Sequence, residues 1–225
     1  MSPSVETTPP PSDRVRLRRK PGRGHHDRAT IDAILDAAPL CHVGVVVDGQ
    51  PYVTPTFHWR EGDHLYIHGA SKNRTLSVAD GTEVCVTVSI LDGLVLARSA
   101  MHHSANFRSV MILGRAHRIE DPDTKRARLK GFIESLYPGR WDALRPMTDT
   151  ELKATAVLSL ALDEASAKVR DGGPMDDEAD LSWPVWSGVI PLRTALGAAV
   201  ADAHTPAGTP PPALGMAVAP IPGSD

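Results

Sequence analysis

The residues best suited to do chemistry stand where one apolar alternation ends. In LYIHGASKNRTL the alternating run carrying Leu65 and Ile67 stops at His68, and Gly69, Ala70, Ser71, Lys72, Asn73 and Arg74 lead into a short helix-forming stretch. Two cations, a hydroxyl and the amide donors of a helix start converge there. That combination suits a phosphate, because amide donors and the helix dipole favour an anion and an arginine can grip it with two parallel hydrogen bonds. The same residues also fit a solvated loop with ordinary charges. His68 lies on the opposite phase to Ile67, so it turns away from the face that Ile67 buries. With an ordinary pKa of about 6.5, it could donate a proton or a hydrogen bond to a group held beside it.

Two neighbouring segments carry further candidates. In PYVTPTFHW, Tyr52, Thr54 and Thr56 share one strand face and Val53, Pro55 and Phe57 the other. Pro55 cannot donate to a ladder, which marks an edge or a bulge where backbone groups stay free for a ligand; a plain edge strand is the alternative. SAMHHSANFRSV gathers Ser99, His102, His103, Ser104, Asn106, Arg108 and Ser109 beside a core strand. Adjacent His102 and His103 would point to opposite faces, and no His/Cys spacing elsewhere makes a zinc site, so no metal is expected. His42, His58, His64 and His117 read as solvated or hydrogen-bonded strand residues. The sequence has no GxGxxG, Walker or GxSxG pattern, which leaves Rossmann, P-loop and serine-nucleophile readings without support. Trp183 and Trp186, around Pro184, suit either a surface groove or partner subunit, or packing on their own barrel.

The elements that position these groups can be read from periodicity. RATIDAILDAAP spaces Ile31, Ile34 and Leu35 as a short amphipathic helix ending near Pro39. LCHVGVVV, the turn DGQ, PYVTPTFHW, the turn REGD and HLYIHGA read as three antiparallel strands joined by tight hairpins. A short helix over SKNRTLSVADG, a strand with an extension in TEVCVTVSILDGLVLARSA, and a strand in FRSVMILGRAHRIED follow. Next comes a helix with Asp121 or Asp123 as its cap and Leu129, Phe132, Ile133 and Leu136 as its buried stripe. A last strand, TAVLSLALDEASAKV, brings the count to about six. Short antiparallel strands with small helices predict a mainly β protein built as a β-barrel.

The ends look different. Residues 1–28 hold Pro9, Pro10, Pro11 and the basic stretch DRVRLRRKPGRGHHDR, and read as a disordered basic arm. Residues 29–192 form the expected domain. Residues 193–225 form a C-terminal segment whose Pro- and Gly-rich part reads as a disordered tail. With 24 basic and 27 acidic side chains the net charge is −3, so neither nucleic acid nor an anionic membrane is an expected partner. Cys41 and Cys85 both sit in apolar runs, and no apolar run is long enough to span a bilayer. A cytoplasmic protein is expected.

In their order, CHVGVVVDGQPYVTPTFHW, GDHLYIHGASKNRTL, VCVTVSILDGLVLARSAMHHSANFRSVMILGRA, YPGRW, ATAVLSLALDEASAKVRDG and WPVWSGVIP resemble the nitroimidazole-resistance-protein-like branch of the pyridoxamine-phosphate-oxidase superfamily. The resemblance implies a six-stranded antiparallel split β-barrel that forms a homodimer with FMN in clefts between subunits. It also implies an FMN-dependent oxidoreductase passing electrons from a nicotinamide cofactor to a small-molecule substrate such as a nitro compound or quinone. Deazaflavin and haem are alternative cofactors on this barrel, and a haem-binding or haem-degrading protein or a non-catalytic flavin-binding module are alternative functions. By position, His68 resembles the branch's active-site histidine. Gly69, Ala70, Ser71, Lys72 and Arg74 resemble the phosphate side of the cofactor site, and Thr54, Pro55 and Thr56 the strand beside the isoalloxazine. Phe107, Arg108 and Ser109 resemble the opposite wall. The substrate-phosphate residues of true pyridoxamine-phosphate oxidases have no counterpart, so vitamin B6 oxidation is not implied.

Overall fold

In the computed structural model, which describes residues 8–215 and the backbone of 219–220, the expected hairpins are present with the turn chemistry their sequences call for. Strand β2 (Leu40–Val47) turns into β3 (Gln50–Glu61) through Asp48 and Gly49, both at positive φ (52° and 80°), the two-residue turn that matches strand twist. β3 turns into β4 (His64–Ala70) through Gly62, also at positive φ. β3 serves two partners: residues 50–57 pair with β2 and residues 58–61 with β4. The handover between Phe57 and His58 falls just past the candidate residues Thr54–Thr56.

The remaining strands are β1 (Gly24–His25), β5 (Glu83–Leu96), β6 (Ser104–Arg115), β7 (His117–Arg118), β8 (Thr155–Ala161), β9 (Glu164–Arg170) and β10 (Gly188–Pro191). The sheet runs β1-β9-β6-β5-β2-β3-β4-β8-β7, every neighbour antiparallel, with β10 alongside the extension of β5. The fold is a mainly antiparallel split β-barrel with small helices. The expected single strand over TAVLSLALDEASAKV is instead two strands, β8 and β9, broken at Leu162 and Asp163, and they pair with β4 and β6 rather than with each other. Burial favours the break, because the shift in phase puts Leu158, Leu160, Leu162, Ala165 and Ala167 all into the barrel core.

Alternation along β2, β4, β5 and β6 sends Val43, Val45, Leu65, Ile67, Val86, Val88, Val110 and Ile112 inward, where Ile31, Ile34 and Leu35 of α1 (Arg28–Ala37) cap them. A second cluster lies outside the barrel, where Trp59, Tyr66 and Val157 meet Leu129 of α3 (Pro122–Leu136) and Leu152. Asp121 caps α3 by accepting from the Thr124 amide at 2.8 Å. Gly131 lets the Glu61 carboxylate lie against α3, where it accepts from Trp59 Nε1 at 2.9 Å and pairs with Arg128.

The expected disordered arm is ordered over its described residues. Val15 is 2% exposed, Arg14 bridges Glu83 and Glu164 at 3.0 Å each, and β1 adds to the edge of β9. One buried valine and backbone pairing hold a segment whose composition is that of a solvated chain. The C-terminal segment also departs from a free tail: the Gly215 amide donates to the Leu136 carbonyl at 2.8 Å, and Ala195–Leu196 pairs with Ala219–Pro220. Residues 1–7, 216–218 and 221–225 lie outside the described residues. Among the described residues, no helix is long and apolar enough to cross a membrane.

Candidate functional site

Strand β3, the end of β4 and helix α2 (Arg74–Ala79) enclose a small cleft of about 50 Å³ lined by Thr54, Pro55, Thr56, His68, Asn73 and Thr75, with Val43 and Leu76 at its floor. The hydroxyls of Thr54 and Thr75 lie 3.0 Å apart and tie the strand to the helix. Gly69 permits that approach, since a Cβ there would come within 2.9 Å of Leu76 Cδ1. The fold thus places Thr54, Pro55, Thr56 and His68 around one cleft.

His68 shares its strand face with Tyr66, not with Ile67, and packs against the second cluster: its ring centroid is 4.3 Å from that of Phe132 and 5.9 Å from that of Trp59. Its Nδ1 is buried without a hydrogen-bond partner. Burial pushes the His68 pKa below its ordinary value. A lowered pKa favours the uncharged ring, which can donate one hydrogen bond or offer one lone pair.

The helix-start amides are less free than the sequence suggested. The Asn73 side chain accepts from Leu76 N at 3.1 Å as the N-cap, Asn73 N donates to Ala70 O at 2.8 Å, and Ser71 N donates to Ala154 O at 2.7 Å. Much of the donor set assigned to an anion is thus used within the fold. The Arg74 guanidinium lies 4.8 Å above the Tyr52 ring, and Lys72 is exposed. Lys72 and Arg74 stand on either side of the lining residue Asn73 in the chain.

Within one chain Phe107, Arg108 and Ser109 do not line the cleft; β2 and β5 separate β6 from β3. Arg108 pairs with Asp92 through two hydrogen bonds of 2.9 and 2.7 Å, and Asp92 is the extra residue of the β5 bulge. Register puts Phe107 and Ser109 on the outer sheet face with Leu91, Pro55, Phe57 and Leu40. Leu40, Val53, Phe57 and Leu91 are exposed there, as are Trp183 and Trp186 near β10. Cys41 is excluded as a nucleophile, because burial pushes its thiol up to about 12. Sequence spacing missed one group: the ligand atoms of His102, Asp177 and Asp180 lie within 4.8 Å of one another.

The pyridoxamine 5'-phosphate oxidase family model matches residues 27–169, more than half of the chain. The chain belongs to this family. The flavocytochrome Anf3 from Azotobacter vinelandii is 48% identical, with a TM-score of 0.87 over 90% of this chain and 95% of its own. An FAD and heme binding protein from Mycobacterium smegmatis is 37% identical, with a TM-score of 0.81 over 84% of this chain and 94% of its own. A structure described as a 5-nitroimidazole antibiotic resistance protein from Bacteroides thetaiotaomicron is 26% identical, with a TM-score of 0.54 over 65% of this chain and 86% of its own. No curated protein sequence matches the chain. Within the oxidase family, the likeness is thus more extensive to proteins named for flavin and haem than to the nitroimidazole branch.

Proposed function

We propose that this member of the pyridoxamine 5'-phosphate oxidase family is a flavin-dependent oxidoreductase that works as a homodimer in the cytoplasm. The observation that carries the reading is the 48% identity to a flavocytochrome, spread over nearly the whole of both chains. The cleft fits a flavin: Thr54, Thr56 and Thr75 supply hydroxyls, Pro55 donates no N–H to the ladder, and Lys72 and Arg74 on either side of Asn73 supply positive charge beside it. At about 50 Å³ it holds only an edge of such a ligand, so a second wall is needed. The exposed apolar face of β2, β3 and β5 supports a second copy as its source, with Phe107 and Ser109 on that same face. Bound flavin supplies hydride and one-electron chemistry, here from a nicotinamide donor to a small acceptor. FAD replaces FMN as the proposed flavin, in keeping with the 37% identical FAD and heme binding protein.

A second redox group is favoured by the histidine itself. Burial lowers the His68 pKa and the ring stands against Trp59 and Phe132, an apolar setting in which an uncharged imidazole would serve as a haem ligand. Haem would add one-electron and oxygen chemistry at the same barrel wall. Titrating the purified chain with FAD, FMN, riboflavin and haem, followed by absorbance, tests both readings. Flavin uptake without a Soret band leaves the flavin reading alone; a Soret band without flavin uptake makes the chain a haem protein.

A further inference from the structure

We propose that a second cavity, built where the basic amino-terminal stretch folds back on β9, binds the diphosphate of a nucleotide. The cavity measures about 500 Å³ and is walled by Arg23, His25, Arg170 and the loop 171–175. This is well beyond what a lone inorganic anion needs and within the range of small-molecule sites.

Arg170 is 6% exposed, and its partners are all neutral: the Asn106 side-chain oxygen and the carbonyls of Gly172 and Gly173, the latter two at 2.8 Å. Its Nε has no partner. Among the described residues, no carboxylate forms an ion pair with Arg170 or with Arg23, whereas Arg98 and Arg108 each have one. Burial and the neighbouring Arg23 charge both push the Arg170 pKa down, and the nearby Asp171 only partly opposes them. His25, also on the wall, stands 4.0 Å from Asp27. Two like charges held beside a cavity, one of them buried without a counter-ion, are costly unless an anion joins them.

The walls suit close approach of a phosphate. A Cβ added at Gly22, Gly172 or Gly173 would meet nothing within 4 Å, so all three backbones border open space. The Arg23 guanidinium offers a fork to a diphosphate, and Arg170, whose donors are largely held by Asn106, Gly172 and Gly173, adds its positive charge beside it; a diphosphate brings more than one negative charge, whereas a single carboxylate would balance only one of the two. The chain's net charge of −3 disfavours a polyanion. The basic stretch thus acquires a role: it carries Arg23 and His25 to the site.

Arg170 pairs across β9 and β6 with Phe107, so the cavity borders the strand that carries the proposed second flavin wall. The diphosphate is that of FAD or of the nicotinamide donor. The choice between them rests on the proposed function; the site does not. The test titrates the full chain and Arg23→Ala, a variant at the cavity rim, with ADP, FAD, NADPH and riboflavin. ADP is expected to bind, and Arg23→Ala to weaken ADP by at least tenfold while leaving riboflavin unchanged. A parallel loss for FAD alone identifies the flavin as the source, and for NADPH alone the donor. Arg170→Gln, checked for an unchanged circular dichroism spectrum, should give the same pattern. Failure of ADP to bind, with FAD and NADPH affinities unchanged in Arg23→Ala, overturns the proposal and leaves flavin binding untouched.

Discussion

The imidazole of His68 packs on the ring of Phe132 with centroids 4.3 Å apart, which joins the β3–β4–α2 cleft to the cluster beneath α3. The contact holds the histidine in one orientation and removes Nδ1 from water. His68→Ala should therefore fold and keep its flavin, yet lose about a hundredfold in turnover of a nitroaromatic or quinone acceptor. It should also lose any Soret band formed with haem. Unchanged turnover and an unchanged haem spectrum would make His68 a packing residue only.

Stability should depend on pH through two histidines. Burial lowers the pKa of His58, which is 2% exposed with Nε2 3.1 Å from the Leu35 carbonyl, and likewise that of His68. The unfolded chain takes up protons near the ordinary value of about 6.5 while the folded chain resists them. Their stabilisation is thus fully present above that pH and declines as pH falls toward the lowered folded values. The slope is at most about 1.4 kcal/mol per pH unit for each group. Urea melts at pH 7.5, 6.5 and 5.5 should show this decline, and a flat or rising series contradicts it.

Much of the barrel was legible because its turns carry their own chemistry: Asp48-Gly49 and Gly62 punctuate the first three strands. The β8–β9 break at Leu162 and Asp163 has no Gly or Pro, so the alternation ran through it unmarked. β1 is held by backbone pairing and the arm by a single buried valine, neither of which composition records. The cleft was legible from strand phase, which put Thr54 and Thr56 on one face and His68 opposite Ile67. The capping role of Asn73 carried a usable signal, an Asn directly before a helical stretch. Arg170 carried none, because a charged strand residue beside Asp171 reads as exposed.

Arg74 should matter for phosphate and not for the isoalloxazine. It lies over Tyr52 and follows the lining residue Asn73 in the chain, so Arg74→Ala should weaken FAD and FMN by about tenfold, from the loss of a charge-assisted contact of roughly 1.5–3 kcal/mol, and leave riboflavin unchanged. Equal losses for all three ligands would assign Arg74 to folding of the cleft instead.

The exposed face carrying Leu40, Val53, Phe57 and Leu91 should be covered by a second copy. Light scattering of the flavin-loaded protein should give a dimer mass, and Phe57→Glu should shift it toward monomer with a matching loss of flavin. A monomer that retains flavin refutes the shared cleft.

The most direct measurement is the absorbance spectrum of the purified chain after incubation with FAD and haem and removal of unbound ligand. The account predicts flavin bands near one FAD per chain, together with a Soret band that His68→Ala abolishes while the flavin bands remain. A spectrum with neither flavin nor haem bands would contradict it.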